Sequence, residues 1–150
     1  MTLADQDRPL NKRGKRDALH MAQVMAEKEE KPDAIITSPA LRASKTALEF
    51  KKALKVKKER YFQDPRIYHA LPDGIMDVLR ELPDDISVVY LFAHNPGLTM
   101  LVNYFTEEEI ANVPTGGICK VRFDLFDWKQ LSLENGILKD FYYPKQFFTK

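Results

Sequence analysis

The chain has 150 residues, 44% of them hydrophobic and 30% charged, and 23 basic against 22 acidic side chains leave a net charge of +1. That is enough chain for one domain with its own core. The charge is too balanced for a nucleic-acid surface, which needs a clustered excess of positive charge. No apolar stretch approaches the length of a bilayer span, and "MTLADQDRPL" has no secretory core. The single cysteine, Cys119, has no intrachain partner and is expected to be a small core residue in a reducing compartment. The expected setting is cytoplasmic, with neither nucleic acid nor membrane as a partner.

In chain order, residues 1 to 10 are polar and read as a loop. Asn11 caps a helix whose apolar stripe is Ala18, Met21, Ala22 and Met25. Lys31-Pro32-Asp33 breaks it, and Ala34 to Thr37 is a short apolar run suited to a buried strand. Ser38-Pro39 reads as an N-cap with proline at the first helical position, ahead of Ala43, Thr46, Ala47, Phe50 and Leu54. The basic run Lys51 to Arg60 is expected to be a solvated helix end and the loop after it.

Arg60 to Gln63 is a short edge-strand candidate. Pro72-Asp73 opens a helix with Ile75, Val78, Leu79 and Leu82 on one face. Ser87 to Ala93 ("SVVYLFA") is the strongest strand pattern, a continuous apolar run. Asn95-Pro96-Gly97 starts a helix with Leu98, Leu101, Val102 and Phe105 inward. Ile118 to Phe126 alternates, and Gly136 to Tyr143 reads as its hairpin partner. Strands interleaved with amphipathic helices predict one α/β domain, a three-layer sandwich with a mostly parallel sheet and helices on both faces.

In such sheets ligands collect beyond the carboxyl ends of the strands. Thr37-Ser38-Pro39 and His94-Asn95-Pro96 each leave a strand and enter a helix there, which makes both junctions candidate anion sites. Arg42 lies one turn into the first helix, where a guanidinium can clamp phosphate or carboxylate oxygens. Taken alone, His94 reads equally as a hydrogen-bonded structural residue, and Arg42, Arg8 and Arg13 as solvated cations. Thr115-Gly116-Gly117 reads either as a turn or as a source of backbone N–H groups for an anion. His20, His69 and His94 have no metal-ligand spacing, one cysteine does not complete a zinc site, and no P-loop or dinucleotide fingerprint is present. No metal or other cofactor is expected.

Four segments taken together resemble a known family. "DRPLNKRGKRDA" (7–18), "SPALRASKTA" (38–47), "AHNPGL" (93–98) and "PTGG" (114–117) are similar, in that order, to the histidine phosphatase superfamily. Within it the chain looks like the small bacterial phosphohistidine phosphatases of the SixA type, and the closing "DWKQL…LKDFYYPKQF" has the same look. The resemblance implies a phosphoglycerate-mutase-like fold. It implies Arg42 as the phosphate clamp and His94 as the second histidine of the pocket, with Thr115 and Gly116 near the phosphate and Arg8 and Asn11 bordering it. It also implies a covalent mechanism, in which a histidine takes the phosphoryl group and water releases it, without a metal. The substrate would be a phosphohistidine protein or a small phosphate ester.

The family carries its nucleophile in an Arg-His-Gly or Arg-His-Ala motif at the end of a first strand, ahead of "DRPL". No Arg-His dipeptide occurs in this chain, and only "MTLADQ" precedes Asp7. The family's proton-donor region reads Tyr68-His69-Ala70-Leu71-Pro72-Asp73 here, with His69 or Asp73 as donor or rim residue. The sequence therefore predicts a truncated chain with little or no turnover. If the shortened form is natural, lowered stability is expected, or a sheet completed by a partner chain or by self-association. The alternative reading is a module that binds phosphate or phosphoprotein without catalysis.

Overall fold

The structure, a computed structural model, describes residues 7–148. Helix α1 (Lys12–Glu27) starts where the sequence places it, because the Asn11 side-chain oxygen accepts the Gly14 N–H at 2.7 Å. Strand β1 (Ala34–Thr37) follows and is buried at every position. Helix α2 (Leu41–Ala53), strand β2 (Tyr61–Gln63), helix α3 (Pro72–Leu79), strand β3 (Val89–Phe92) and helix α4 (Gly97–Asn103) complete the α/β part. Strands β4 (Ile118–Phe123) and β5 (Gly136–Tyr142) close the chain as an antiparallel pair.

The parallel sheet runs β2-β1-β3, with Ile36 opposite Leu91 and Ile35 opposite Tyr90. Because strand side chains alternate, the sheet feeds two cores. Ile35, Tyr90 and Phe92 pack toward Met21 and Met25 of α1 and Phe50 of α2. Ile36, Val89 and Leu91 pack toward Met76 and Leu79 of α3 and Leu101 of α4. The predicted α/β class with helices on both faces is present.

Three details differ from the sequence reading. Helix α2 begins with Ala40 as its cap residue, so Ser38-Pro39 forms the turn before it; Ser38 Oγ accepts the Ala40 N–H at 3.2 Å instead of capping the helix. The strand predicted at Ser87–Ala93 shrinks to Val89–Phe92 and is only half-buried, with Val88 46% exposed. Its outer edge has no strand neighbour among the described residues, so one flank stays open. Cys119 is likewise half-buried on the wall of that opening rather than sealed in a core.

The hairpin sits across this opening. Asn95 Nδ2 donates to the Val113 carbonyl at 2.9 Å, and Trp128 Nε1 donates to the Ile86 carbonyl at 2.7 Å. β4 thus enters beside the end of β3 and leaves beside its start, which makes the two antiparallel across the gap. A cleft of about 1270 Å³ separates them.

Candidate functional site

The carboxyl ends of β1 and β3 meet because the ladder extends one residue further: the Ser38 N–H donates to the Phe92 carbonyl at 3.0 Å. Ser38 is fully buried, and two residues beyond Phe92 the chain presents His94. His94 Nε2 lies 2.7 Å from Ser38 Oγ. Since Ser38 Oγ already accepts from Ala40 N–H, its hydroxyl proton is available to an unprotonated Nε2, or the oxygen accepts from Nε2–H. Either way the imidazole plane is held. Tyr68 stands against it edge-on, with ring centroids 5.5 Å apart and an interplanar angle of 88°.

The loop carrying Tyr68 is tied to the same place. Asp64 N–H donates to the Thr37 carbonyl at 3.0 Å, and Ile67 is buried in the core beneath. On the other side, a Cβ on Gly97 would lie 2.0 Å from the Ala70 carbonyl oxygen. Only glycine allows α4 to start so close to that loop, so the sequence Asn95-Pro96-Gly97 is a packing requirement as well as a helix start.

Arg42, His94, Thr115 and Gly116 all line the cleft. Arg42 is half-buried on the first turn of α2. Gly116 holds φ +77°, and a Cβ there would meet Pro144 Cγ at 2.9 Å and Asp17 Cβ at 3.4 Å. The 115–117 turn is therefore pressed between α1 and the segment after β5. It closes on the Gly117 N–H to Pro114 carbonyl bond of 2.8 Å.

The remaining candidates do not line the cleft. Arg8 and Asn11 are exposed beside α1, and the Asn11 oxygen is committed to the helix cap. Asp73 is exposed in the first turn of α3. His69 is exposed with φ +59°, its ring 4.0 Å from that of Tyr68. His20 is elsewhere, stacked 4.4 Å from Phe148. The sequence reading named the Thr37-Ser38-Pro39 junction as a candidate anion site but gave the Ser38 side chain no role beyond a cap, and it gave Tyr68 none.

The arrangement lines one cleft with an imidazole of fixed orientation, a guanidinium and a glycine turn. That set suits an oxyanion. Among the described residues, no three His, Cys, Asp or Glu side chains gather as a metal site, and no helix is long and apolar enough to cross a membrane. Burial pushes the Cys119 thiol up to about 11, so it is a poor nucleophile at neutral pH.

Residues 3–67 match the family described as histidine phosphatase superfamily (branch 1). The match takes in Arg42 and stops before His94. Similar solved structures include one assigned as phosphohistidine phosphatase SixA from Agrobacterium tumefaciens, 21% identical with TM-score 0.78, covering 95% of this chain and 87% of that one. Another, assigned likewise from Nakamurella multipartitia, is 20% identical with TM-score 0.81, covering 96% and 89%. A third is the protein histidine phosphatase SixA complexed with tungstate, 20% identical with TM-score 0.79, covering 99% and 92%. No curated relative matches the sequence. The family match and the shared fold bear out the resemblance read from the sequence, and the fold is that of the SixA structures.

Proposed function

We propose that this chain, with the histidine phosphatase pattern over residues 3–67 and the SixA fold, supplies the phosphate-binding half of a phosphohistidine phosphatase site. The observation that carries the reading is the 2.7 Å contact of His94 with Ser38 at the sheet's carboxyl end, with Arg42 and the 115–117 turn lining the same cleft. In this reading Arg42 takes two oxygens of a phosphoryl group, His94 a third, and the Thr115–Gly117 backbone adds N–H groups. The similar SixA structure with tungstate, a tetrahedral oxyanion, is in keeping with a pocket of this shape.

Turnover on this mechanism needs a second imidazole. Its nitrogen attacks phosphorus as the substrate's P–N or P–O bond breaks, and water then opens the new P–N bond to release inorganic phosphate. Neither His20 nor His69 lines the cleft, so the chain by itself is a binder with little or no turnover. That observation favours the second reading, a phosphate- or phosphoprotein-binding module, for the chain in isolation.

The test is calorimetric titration with tungstate and orthovanadate, alongside an assay on a phosphohistidine protein. Saturable oxyanion binding that is lost in His94→Ala and Arg42→Ala is the expected result. Unchanged binding in both variants overturns the site. Phosphate release at enzymatic rates by the 150-residue chain, with phosphohistidine trapped on it, overturns the statement about turnover.

A further inference from the structure

We propose that the outer face of α1 and α2 is a docking face for the acidic surface of a phosphoprotein, held there by Lys12, Lys15, Arg16 and Lys45. The inference rests on the phosphate-binding reading and deepens it, because it states the charge that surrounds the phosphoryl group on the partner.

Charge is divided unevenly between the layers of the fold. Residues 7–60, which build α1, β1 and α2, hold 15 lysines and arginines against 8 aspartates and glutamates. Residues 61–148, which build α3, α4 and the hairpin, hold 7 against 13. Helices α1 and α2 pack on one face of the parallel sheet and α3 and α4 on the other, so the molecule has a cationic side and an anionic side. The net charge of +1 conceals this. Such an asymmetry steers and orients a charged partner.

The cations gather where these helices begin. Lys12, Arg13, Lys15 and Arg16 occupy the first two turns of α1, and Arg42 and Lys45 those of α2. Neither first turn holds an acid, although the positive end of a helix dipole favours acids and opposes cations. Helix α3, on the anionic side, has Asp73 there. Arg13 lies 3.7 Å from Asp17, whose side chain is buried. Lys12, Lys15, Arg16 and Lys45 are exposed and enter no ion pair among the described residues. Their charges work against their own helices, so the benefit lies with a partner. Lys51 and Lys52, in the last turn of α2, need no such account, because the dipole favours them.

Position and neighbours select the partner. The first turn of α2 brings Arg42 to the cleft, and Leu10, just ahead of α1, lines it too. A Cβ on Gly116, itself a lining residue, would meet Asp17 Cβ of α1 at 3.4 Å. Both cationic helix starts therefore border the cleft that holds His94. Leu19, one turn after Lys15 and Arg16, is exposed, as is Leu48 after Lys45, so each group of cations has an apolar neighbour on its own helix face. A protein surface uses both kinds of contact. Single-stranded nucleic acid stacks its bases on aromatic rings, and Phe50, the one Phe, Tyr or Trp of these two helices, is buried. Among the other charges nearby, Asp7 and Arg8 offset each other, and Glu27 and Glu49 lie beyond the first two turns. On the anionic side Asp73, Glu107, Glu108 and Glu109 are exposed and repel an acidic partner, which turns it toward α1 and α2.

The test uses the full 150-residue chain and synthetic peptides with a central histidine, free or as a stable phosphonate analogue of phosphohistidine, flanked on both sides by glutamates or by lysines. Binding is followed by amide NMR shifts at about 50 mM and about 500 mM salt, where screening is weak and strong. With either centre, the glutamate peptide should bind at least about fivefold tighter than the lysine peptide at low salt, shift amides in 12–19 and 42–48, and lose its advantage at high salt. The triple variant Lys15→Gln, Arg16→Gln, Lys45→Gln should lose the preference, while its melting midpoint and its high-salt tungstate affinity stay close to the parent's. Equal binding of the glutamate and lysine peptides, or a preference kept in the triple variant, overturns the proposal. Tighter binding of a single-stranded oligonucleotide or of phosphatidylserine vesicles than of the glutamate peptides overturns the protein partner, as does salt-sensitive self-association that the triple variant loses. A parent chain that binds no tungstate yet keeps the glutamate preference overturns the phosphate pocket and supports the docking face.

Discussion

His94 and Ser38 lie 56 positions apart in the chain, and their side chains meet at 2.7 Å, Nε2 to Oγ. The serine is held by its own backbone bond to Phe92 and by Ala40 N–H, so it is a fixed post to which a surface-facing imidazole is tied. Ser38→Ala removes the post and leaves Nε2 to reorient. A hydrogen bond of this kind is worth about 1 kcal/mol, or roughly fivefold in an equilibrium. Tungstate affinity should fall about fivefold, and the His94 ring nitrogens should change their NMR shifts. An unchanged spectrum and affinity would show that the contact does not orient the ring.

Arg42 supplies a planar fork as well as a charge. Arg42→Ala should weaken tungstate or vanadate binding at least tenfold, and Arg42→Lys should recover only part of it, since lysine lacks the bidentate geometry. The side chain is half-buried on α2, so the thermal midpoint should move little in either variant. Calorimetry and a melting curve on the same samples separate the two effects.

Two glycines near Ala70 should respond in opposite directions. Gly97→Ala forces a methyl to 2.0 Å from the Ala70 carbonyl oxygen, against backbone that has no free rotor to give way. It should cost about 1–3 kcal/mol and move the Tyr68 loop away from His94. Gly74→Ala, inside α3, meets only Ala70 Cβ at 3.6 Å and should stabilise by about 0.4–1 kcal/mol. Denaturant midpoints of the pair check both statements.

Arg66 bridges Glu81 at 2.6 Å and Asp64 at 2.8 Å. Hydrogen bonds from that guanidinium hold both carboxyls below their ordinary values. A carboxyl lowered on folding contributes stability that is complete above its unfolded value, near 4, and lost as pH falls through the folded value. Stability should therefore decline on the acid side below about pH 4–5, and less steeply in Arg66→Ala. Acid-denaturation curves of the two proteins that superimpose in shape would contradict this. Arg66 and Glu81 are exposed and Asp64 is only half-buried, so the effect is small.

Features that depend on a few consecutive residues were legible in the sequence. Asn11 caps α1 because its carboxamide reaches an N–H three residues on, a contact settled by local geometry. The apolar run Ala34–Thr37 became a fully buried strand, and the stripe at Met21, Ala22 and Met25 became one core face. Ser38 was misjudged because a serine before proline has two local uses, a cap or a turn. Which one holds depends on where the following helix docks.

The sequence by itself determined the α/β class, the helix faces and the histidine phosphatase resemblance, because periodicity and short motifs are written in neighbouring residues. The tertiary structure alone decided that Ser38 orients His94, that Gly97 sits against Ala70, and that β3 and β4 face one another across a gap. Each of these joins groups distant along the chain. Their distances follow from how the two cores pack around the sheet, and no local pattern records that.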